Sequence, residues 1–328
     1  MAKHSTNESF IGKFIPNKND SPKAIAGKIV FLIALVVLIV SIIILANYFV
    51  EQSRNKKLNE ELIEQHTTII TSETTTVPTE TETEATTTEP PPLVTLASME
   101  QLLSENPDTA GWIKVDGTYI DNVVVQTEDN DYYLTRNFFG EKSQPGTVFA
   151  DYRCVVNDYN DNQSDNIIIY GHNQADGTMF GTLNKYKVKS SNTKNFEFYL
   201  EHPTFEFSNL YEEYTYKIVA AFVIEVEPYQ TRDGIIFDYH NYIVFNSQRP
   251  FDTFVDNIME RTAYNTGVDI EEGDKFLTLS TCSNEFEPSR FVVIGRRVRD
   301  GESAEVDTSK ASINEDAKEP DLNFIYYQ

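Results

Sequence analysis

Cysteine and basic residues are both scarce in this chain. Two cysteines in 328 residues, Cys154 and Cys282, cannot build a disulfide framework for a protein of this size. Against 51 acidic residues stand only 27 lysines and arginines, a formal net charge of −24. No basic excess is left to neutralise phosphates, which argues against nucleic acid as a partner. Apolar material is not lacking. With 40% hydrophobic and 12% aromatic residues, the chain has enough for a real core.

Charge of either sign is missing from one stretch. Residues 29–50 read IVFLIALVVLIVSIIILANYFV, 22 residues without a charge. As a helix they span roughly 33 Å, enough to cross the hydrocarbon of a bilayer. The run ends in Asn47, Tyr48 and Phe49, bulky interface residues instead of the small-residue site of a cleavable signal. Lys3, Lys13, Lys18, Lys23 and Lys28 precede it, whereas only Arg54, Lys56 and Lys57 follow closely. That bias predicts a cytoplasmic segment at 1–28, a single transmembrane anchor at 29–50, and everything later outside the cell membrane.

Composition divides the outer part. Residues 67–92, TTIITSETTTVPTETETEATTTEPPP, offer almost nothing to bury, so 51–95 is expected to be a Thr/Glu/Pro-rich stalk. Order is expected at 96–300. Ser98, three residues before Gln101, has the spacing of a capping box. Runs rich in Val, Ile, Phe and Tyr then recur, among them GWIKV, NVVVQ, GTVFAD, NIIIYGHN, TFEFSNL, YTYKIVAAFVIEVE, KFLTLSTC and RFVVIGRRV. Polar turns separate them, which predicts a mainly β, mostly antiparallel architecture closed into a barrel. In RPFDTFVDNIMERTAY, Phe251, Phe254, Val255, Ile258 and Met259 recur at helical spacing, so an amphipathic helix lies on that barrel. A second helical stretch is expected near DGTMFGTLNKY. Residues 300–328 hold eight acids and two lysines, and 301–328 reads as an acidic, poorly ordered tail.

The segment FLTLSTCS (276–283) raises the chemical question, because a buried-strand run delivers a thiol to its own tip. An arbitrary cysteine is a small core hydrophobe. Cys282 differs in ending its strand and in being followed by polar residues. A nucleophilic thiol needs a base or a cation close by. Of five histidines, His4 falls in the cytoplasmic segment and His66 in the stalk. His202 and His240 sit in polar or irregular contexts and read as surface or packing residues. His172 ends the apolar run NIIIYGHN, so two strand tips each deliver one reactive side chain. Arg290 follows Cys282 by eight residues, just before an apolar strand. A cation there orients carbonyls and holds charge that develops on oxygen. A strand-edge arginine paired with a surface acid is the bland alternative. The acids of NDYNDNQSD (157–165) lack the alternation and glycine of a calcium loop, and Cys154 reads as a packing residue. No metal or cofactor is expected.

These motifs resemble those of a known family. TLSTC (278–282), with YGHN (170–173) upstream and RFVVIGR (290–296) downstream, is similar to the sortases, the cysteine transpeptidases of Gram-positive envelopes. SQPGTVFADYR (143–153) and the helix before the cysteine strand resemble class B in particular. The resemblance covers roughly 96–300 and implies an eight-stranded barrel. It implies Cys282 as nucleophile, His172 as proton shuttle and Arg290 as the third catalytic residue. Tyr170, Ser280 and Thr281, beside them in the same motifs, are expected to contact substrate. Where the family carries an acid directly after the cysteine, this chain has Ser283. The implied substrates are secreted proteins with a C-terminal sorting signal of the NPxT type, cleaved after Thr. The implied acceptor is an amine of a peptidoglycan precursor. A pilin lysine as acceptor and a non-catalytic, stalked wall-binding protein are the rival readings.

Overall fold

Eight strands close into a barrel in the order β1-β2-β3-β4-β8-β9-β6-β5. They are β1 (Thr109–Lys114), β2 (Asp121–Val125), β3 (Phe149–Ala150), β4 (Asn166–Tyr170), β5 (Thr204–Ser208), β6 (Glu213–Glu225), β8 (Phe276–Cys282) and β9 (Ser289–Arg297). A two-stranded sheet pairs β7 (Tyr264–Asn265) with β10 (Ser312–Ile313). The computed structural model describes residues 14–75, 93–158, 162–188 and 194–327. Its contacts divide the chain into two units, Met1–Arg54 and Asn55–Gln328.

Six of the eight barrel pairings are antiparallel, and two are parallel, β2 with β3 and β4 with β8. The second parallel pair matters most for the site. Parallel neighbours point their C-terminal ends the same way, so Tyr170 pairs with Ser280 and both strands run out at one rim. Both are buried on two faces. Ile167, Ile168 and Ile169 are all within 2% exposure, which is why β4 is a continuous β-branched run instead of an alternating one. The buried amide of Asn166 is satisfied, donating to the Tyr242 carbonyl and accepting from the Thr278 hydroxyl.

Helix α1 (Pro22–Thr75) begins in the first unit, where it carries the uncharged residues 29–50 with their apolar side chains exposed. By length and composition it is apolar enough to cross a membrane. In the second unit the same helix departs from the expected stalk. Residues 55–70 are helical, Leu62 and His66 are buried, and the His66 ring stacks on Trp112 with centroids 4.1 Å apart. Leu58, Leu62, Ile63 and His66 form a stripe at helical spacing, which gives this stretch an apolar face to bury. The Thr/Glu/Pro stretch at 76–92 lies outside the described residues.

The remaining helices are α2 (Ala97–Glu105), α3 (Lys194–Glu201), α4 (Gln248–Arg261) and α5 (Leu322–Tyr326). The expected capping box did not form: Leu96 holds the N-cap position of α2, and Ser98 is buried as the second residue of the helix. Helix α4 is the predicted amphipathic helix, burying Phe251, Phe254 and Ile258. The DGTMFGTLNKY stretch makes a short 3-10 turn, Gly181–Tyr186.

The acidic tail is ordered, contrary to its composition. Two of its acids, Glu302 and Asp321, pair with cations outside the tail. Arg296 of β9 is fully buried, and its guanidinium bonds Glu302 and Asp269. Glu302 also accepts from Lys217 at 2.6 Å. Hydrogen bonds from Arg296 lower the Glu302 carboxyl far below the carboxylate range, against the opposing effect of burial. Further on, β10 joins β7 and α5 docks by its aromatic side chains.

Candidate active site

The rim where β4 and β8 end opens into a cleft of about 280 Å³. His172, Cys282 and Arg290 all line it, together with Leu134, Arg153 and His240. Cys282 is the last residue of β8 and the exposed one, whereas the six before it are buried. Across the ladder it pairs with Arg290, so thiol and guanidinium are strand neighbours.

His172 arrives by a different route. Strand β4 stops at Gly171, where a Cβ would lie within 3 Å of the Phe180 ring. Only glycine lets that ring close over the backbone. The Phe180 amide then donates to the His172 carbonyl, fixing the turn. The imidazole Nε2 lies 2.9 Å from the Leu134 carbonyl oxygen. A carbonyl only accepts, so Nε2 is the protonated nitrogen and Nδ1 is left to exchange a proton elsewhere.

The two tips are tied together. The Asn173 side chain donates to the Cys282 carbonyl at 2.9 Å and accepts from the Asn184 amide at 2.9 Å. The Thr281 hydroxyl donates to the Gly171 carbonyl at 2.7 Å. Sequence reasoning missed Asn173, although it stands inside the YGHN motif. A side chain's tie to a carbonyl 109 residues away leaves no local trace.

Tyr170, Ser280 and Thr281 line the cleft, but their hydroxyls bond within the protein. Ser280 shares a 2.7 Å bond with the buried Tyr239 hydroxyl. Tyr170 donates to Asp151 at 2.8 Å. Asp151, fully buried, also receives both the Nε and an Nη of Arg153, at 2.9 and 2.7 Å. Burial alone would raise its carboxyl. Arg153 and Tyr170 overcome that and hold it at about 2. Burial also pushes the Tyr170 phenol upward, so it stays a donor. Arg153 had no assigned role, yet it brings a second cation to the cleft. His240 is a correction: expected as a surface or packing residue, it lines the cleft and stacks near Tyr170. A short turn at Tyr239–Asn241, anchored by Tyr239 on Ser280, returns it there.

Cys154 has the opposite environment. It is buried, its sulfur facing the Asn166 carbonyl and the Ile168 amide, and burial pushes its thiol up to about 12. Such a thiol is inert at neutral pH. Of the acids in the 157–165 segment, Asp165 is held by Lys275 and the Phe245 amide.

Comparison with known proteins agrees with this geometry. A sequence model of the sortase domain matches residues 113–298. The chain belongs to the sortase family. Its relatives within that family are of class B. Sortase B of Listeria monocytogenes is 33% identical over 202 residues, covering 61% of this chain and 74% of the relative. Sortase B of Staphylococcus aureus is 30% identical over 204 residues, with 61% and 74% covered. The solved Staphylococcus aureus sortase B–substrate complex superposes with a TM-score of 0.59 at 25% identity, covering 76% of this chain and 99% of that one. The fold is thus the sortase B barrel, and the family is one of cysteine transpeptidases. His172, Cys282 and Arg290 all fall inside the matched residues of this sortase.

Proposed function

We propose that this sortase is a membrane-anchored transpeptidase that cleaves a C-terminal sorting signal after Thr and passes the protein to an amine. One observation carries the reading. The exposed thiol of Cys282 shares a cleft with an imidazole whose free nitrogen is Nδ1 and with the guanidinium of Arg290. The Cys282 thiolate attacks the Thr carbonyl carbon, and Arg290 faces the charge that builds on oxygen. The C–N bond breaks as His172 gives its proton to the leaving amine, and a thioester remains. An acceptor amine then attacks that thioester while His172 takes up its proton. Asn173 keeps the two strand tips in register through both halves.

The α1 run at 29–50 supports an anchor that keeps the barrel on the outer face of the membrane. Class B relatives support an NPxT-type signal and a wall-precursor amine as acceptor. The purified protein, incubated with NPxT and LPxT fluorogenic peptides, is expected to cleave the former faster. Adding an amine should divert product from hydrolysis to ligation. His172→Ala should abolish turnover, and Arg290→Ala should lower it on the order of 10²–10³-fold. If neither peptide is cleaved and no thioester forms at Cys282, while the folded chain binds wall fragments, the transpeptidase reading is wrong.

A further inference from the structure

The sortase match ends at residue 298, yet the chain beyond it is fastened to the barrel step by step. After β10 pairs with β7, the Asn314 side chain donates to the Thr262 carbonyl at 2.9 Å. Lys318 meets Glu260 of α4 at 3.1 Å. The chain then turns into α5, where Asp321 caps the helix by accepting from the Phe324 amide. Its carboxylate also receives the Nε and an Nη of Arg232 at 2.9 and 2.6 Å. The Arg232 guanidinium lies 5.0 Å over the Phe324 ring. Finally, the Tyr326 hydroxyl donates to the Glu285 carbonyl.

Arg232 and Glu285 belong to two different loops, each of which carries or adjoins a residue that lines the cleft. Residues 226–247 carry His240 into it, and residues 283–288 join Cys282 to Arg290. The loops also meet directly, the Gln230 side chain donating to the Pro288 carbonyl at 2.6 Å. The end of the tail therefore grips, from outside, the two segments that frame the thiol. The grip is light. Arg232 and Asp321 are 68% and 42% exposed, a setting in which ion pairs are weak and screened by salt. Beneath it a cavity of about 180 Å³ remains, walled by Phe222, Phe286, Phe291, Pro320 and Leu322. A tail held this way can be loosened without opening the barrel.

We propose that residues 314–326 form a positioning strap that pre-orders loops 226–247 and 283–288 for the incoming peptide. Arg232, Asp321 and Tyr326 then set KM without touching the reacting atoms. Loops that are already ordered lose less conformational entropy when substrate binds. Loosening the strap therefore weakens binding and spares the chemical step. The substrate half of this proposal rests on the reading of the Cys282 cleft as a peptide site.

The test uses the full-length protein in detergent and compares Arg232→Ala, Asp321→Asn, their double variant, Tyr326→Phe and a chain ending at Asn314. Asp321→Asn keeps a good helix cap and removes only the charge. Hydrogen exchange without substrate is expected to quicken about 2–5-fold in residues 229–238 for Arg232→Ala and Asp321→Asn, the range an exposed ion pair supplies. The double variant should be little faster than Arg232→Ala alone, because the Asp321 charge acts on this loop through Arg232. Tyr326→Phe should quicken 284–287 alone, which keeps the proposal testable if the truncated chain fails to fold. Amides of 167–169 and 291–294 should stay protected throughout. With NPxT peptide, KM should rise about 3–10-fold while kcat stays within twofold. Unchanged exchange in both loops, or a fall in kcat with constant KM, would overturn the strap. If exchange responds but the wild-type protein cleaves no peptide, the strap stands and the transpeptidase reading fails.

Discussion

Replacing Asp151 by Asn tests the electrostatic floor of the cleft. The side chain is fully buried and accepts from the Arg153 side chain twice, from the Arg153 backbone amide, from Tyr170 and from Asn130. Its carboxyl is held at about 2 against an ordinary 3.8. At 1.36 kcal/mol per tenfold change in proton affinity, that preference is worth about 2.4 kcal/mol of stability. The Arg153 side chain is 36% exposed, so solvent screening trims the figure to about 2 kcal/mol. A hydrogen bond to a charged group contributes a similar amount, about 1.5–3 kcal/mol. Because the folded value is the lower one, this stability is complete above about pH 4 and drains away as pH falls through 2. Urea denaturation reads it directly. At pH 7, Asp151→Asn should unfold at a midpoint lower by roughly 0.7 M, taking a slope of about 3 kcal/mol/M. At pH 3 the gap should shrink to about half. Equal midpoints at pH 7, or the same gap at both pH values, would refute the reasoning.

Three further outcomes are expected. Brief iodoacetamide treatment at pH 7.5, followed by peptide mass mapping, should label exposed Cys282 at least about 10³ times faster than Cys154, whose thiol is buried and raised to about 12. Asn173→Ala should lower kcat/KM about 2–12-fold, the equivalent of the ~0.5–1.5 kcal/mol of one hydrogen bond, and leave the melting temperature nearly unchanged. Glu302→Ala leaves the fully buried Arg296 short of its nearest acid and should destabilise the barrel by about 3 kcal/mol in the same urea assay. A tail variant with no loss of stability would mean that Asp269 and Asp274 suffice for Arg296.

Much of the barrel was legible because its strands are apolar runs cut by polar turns. NIIIY and FLTLSTC, one ending at a glycine and the other at a thiol, announce both tips from the sequence alone. What stayed hidden depends on contacts across the fold. His240 looks like a surface residue until Tyr239 is seen anchored on Ser280. The stretch 51–75 was read by its polar composition, although Leu58, Leu62, Ile63 and His66 already carried a helical stripe. The order of the tail is hidden for a related reason. Counting its acids predicts a solvated chain, but the count is blind to Arg296 and Lys217, which receive Glu302, and to Arg232, which receives Asp321. Composition sets the charge of a segment, and only the fold decides whether that charge has a counterpart.

The parallel pairing of β4 with β8 has a consequence for how the protein can be taken apart. Histidine and cysteine stand 110 positions apart in the chain, yet their strands share one ladder. Cutting the backbone at the exposed turn around Glu212, between β5 and β6, would put His172 on one fragment and Cys282 on the other. Neither half holds both members of the proposed catalytic pair. Turnover would return only when the two pieces zip together along β4–β8 and β5–β6, so the enzyme can serve as a complementation reporter whose signal is a new covalent bond.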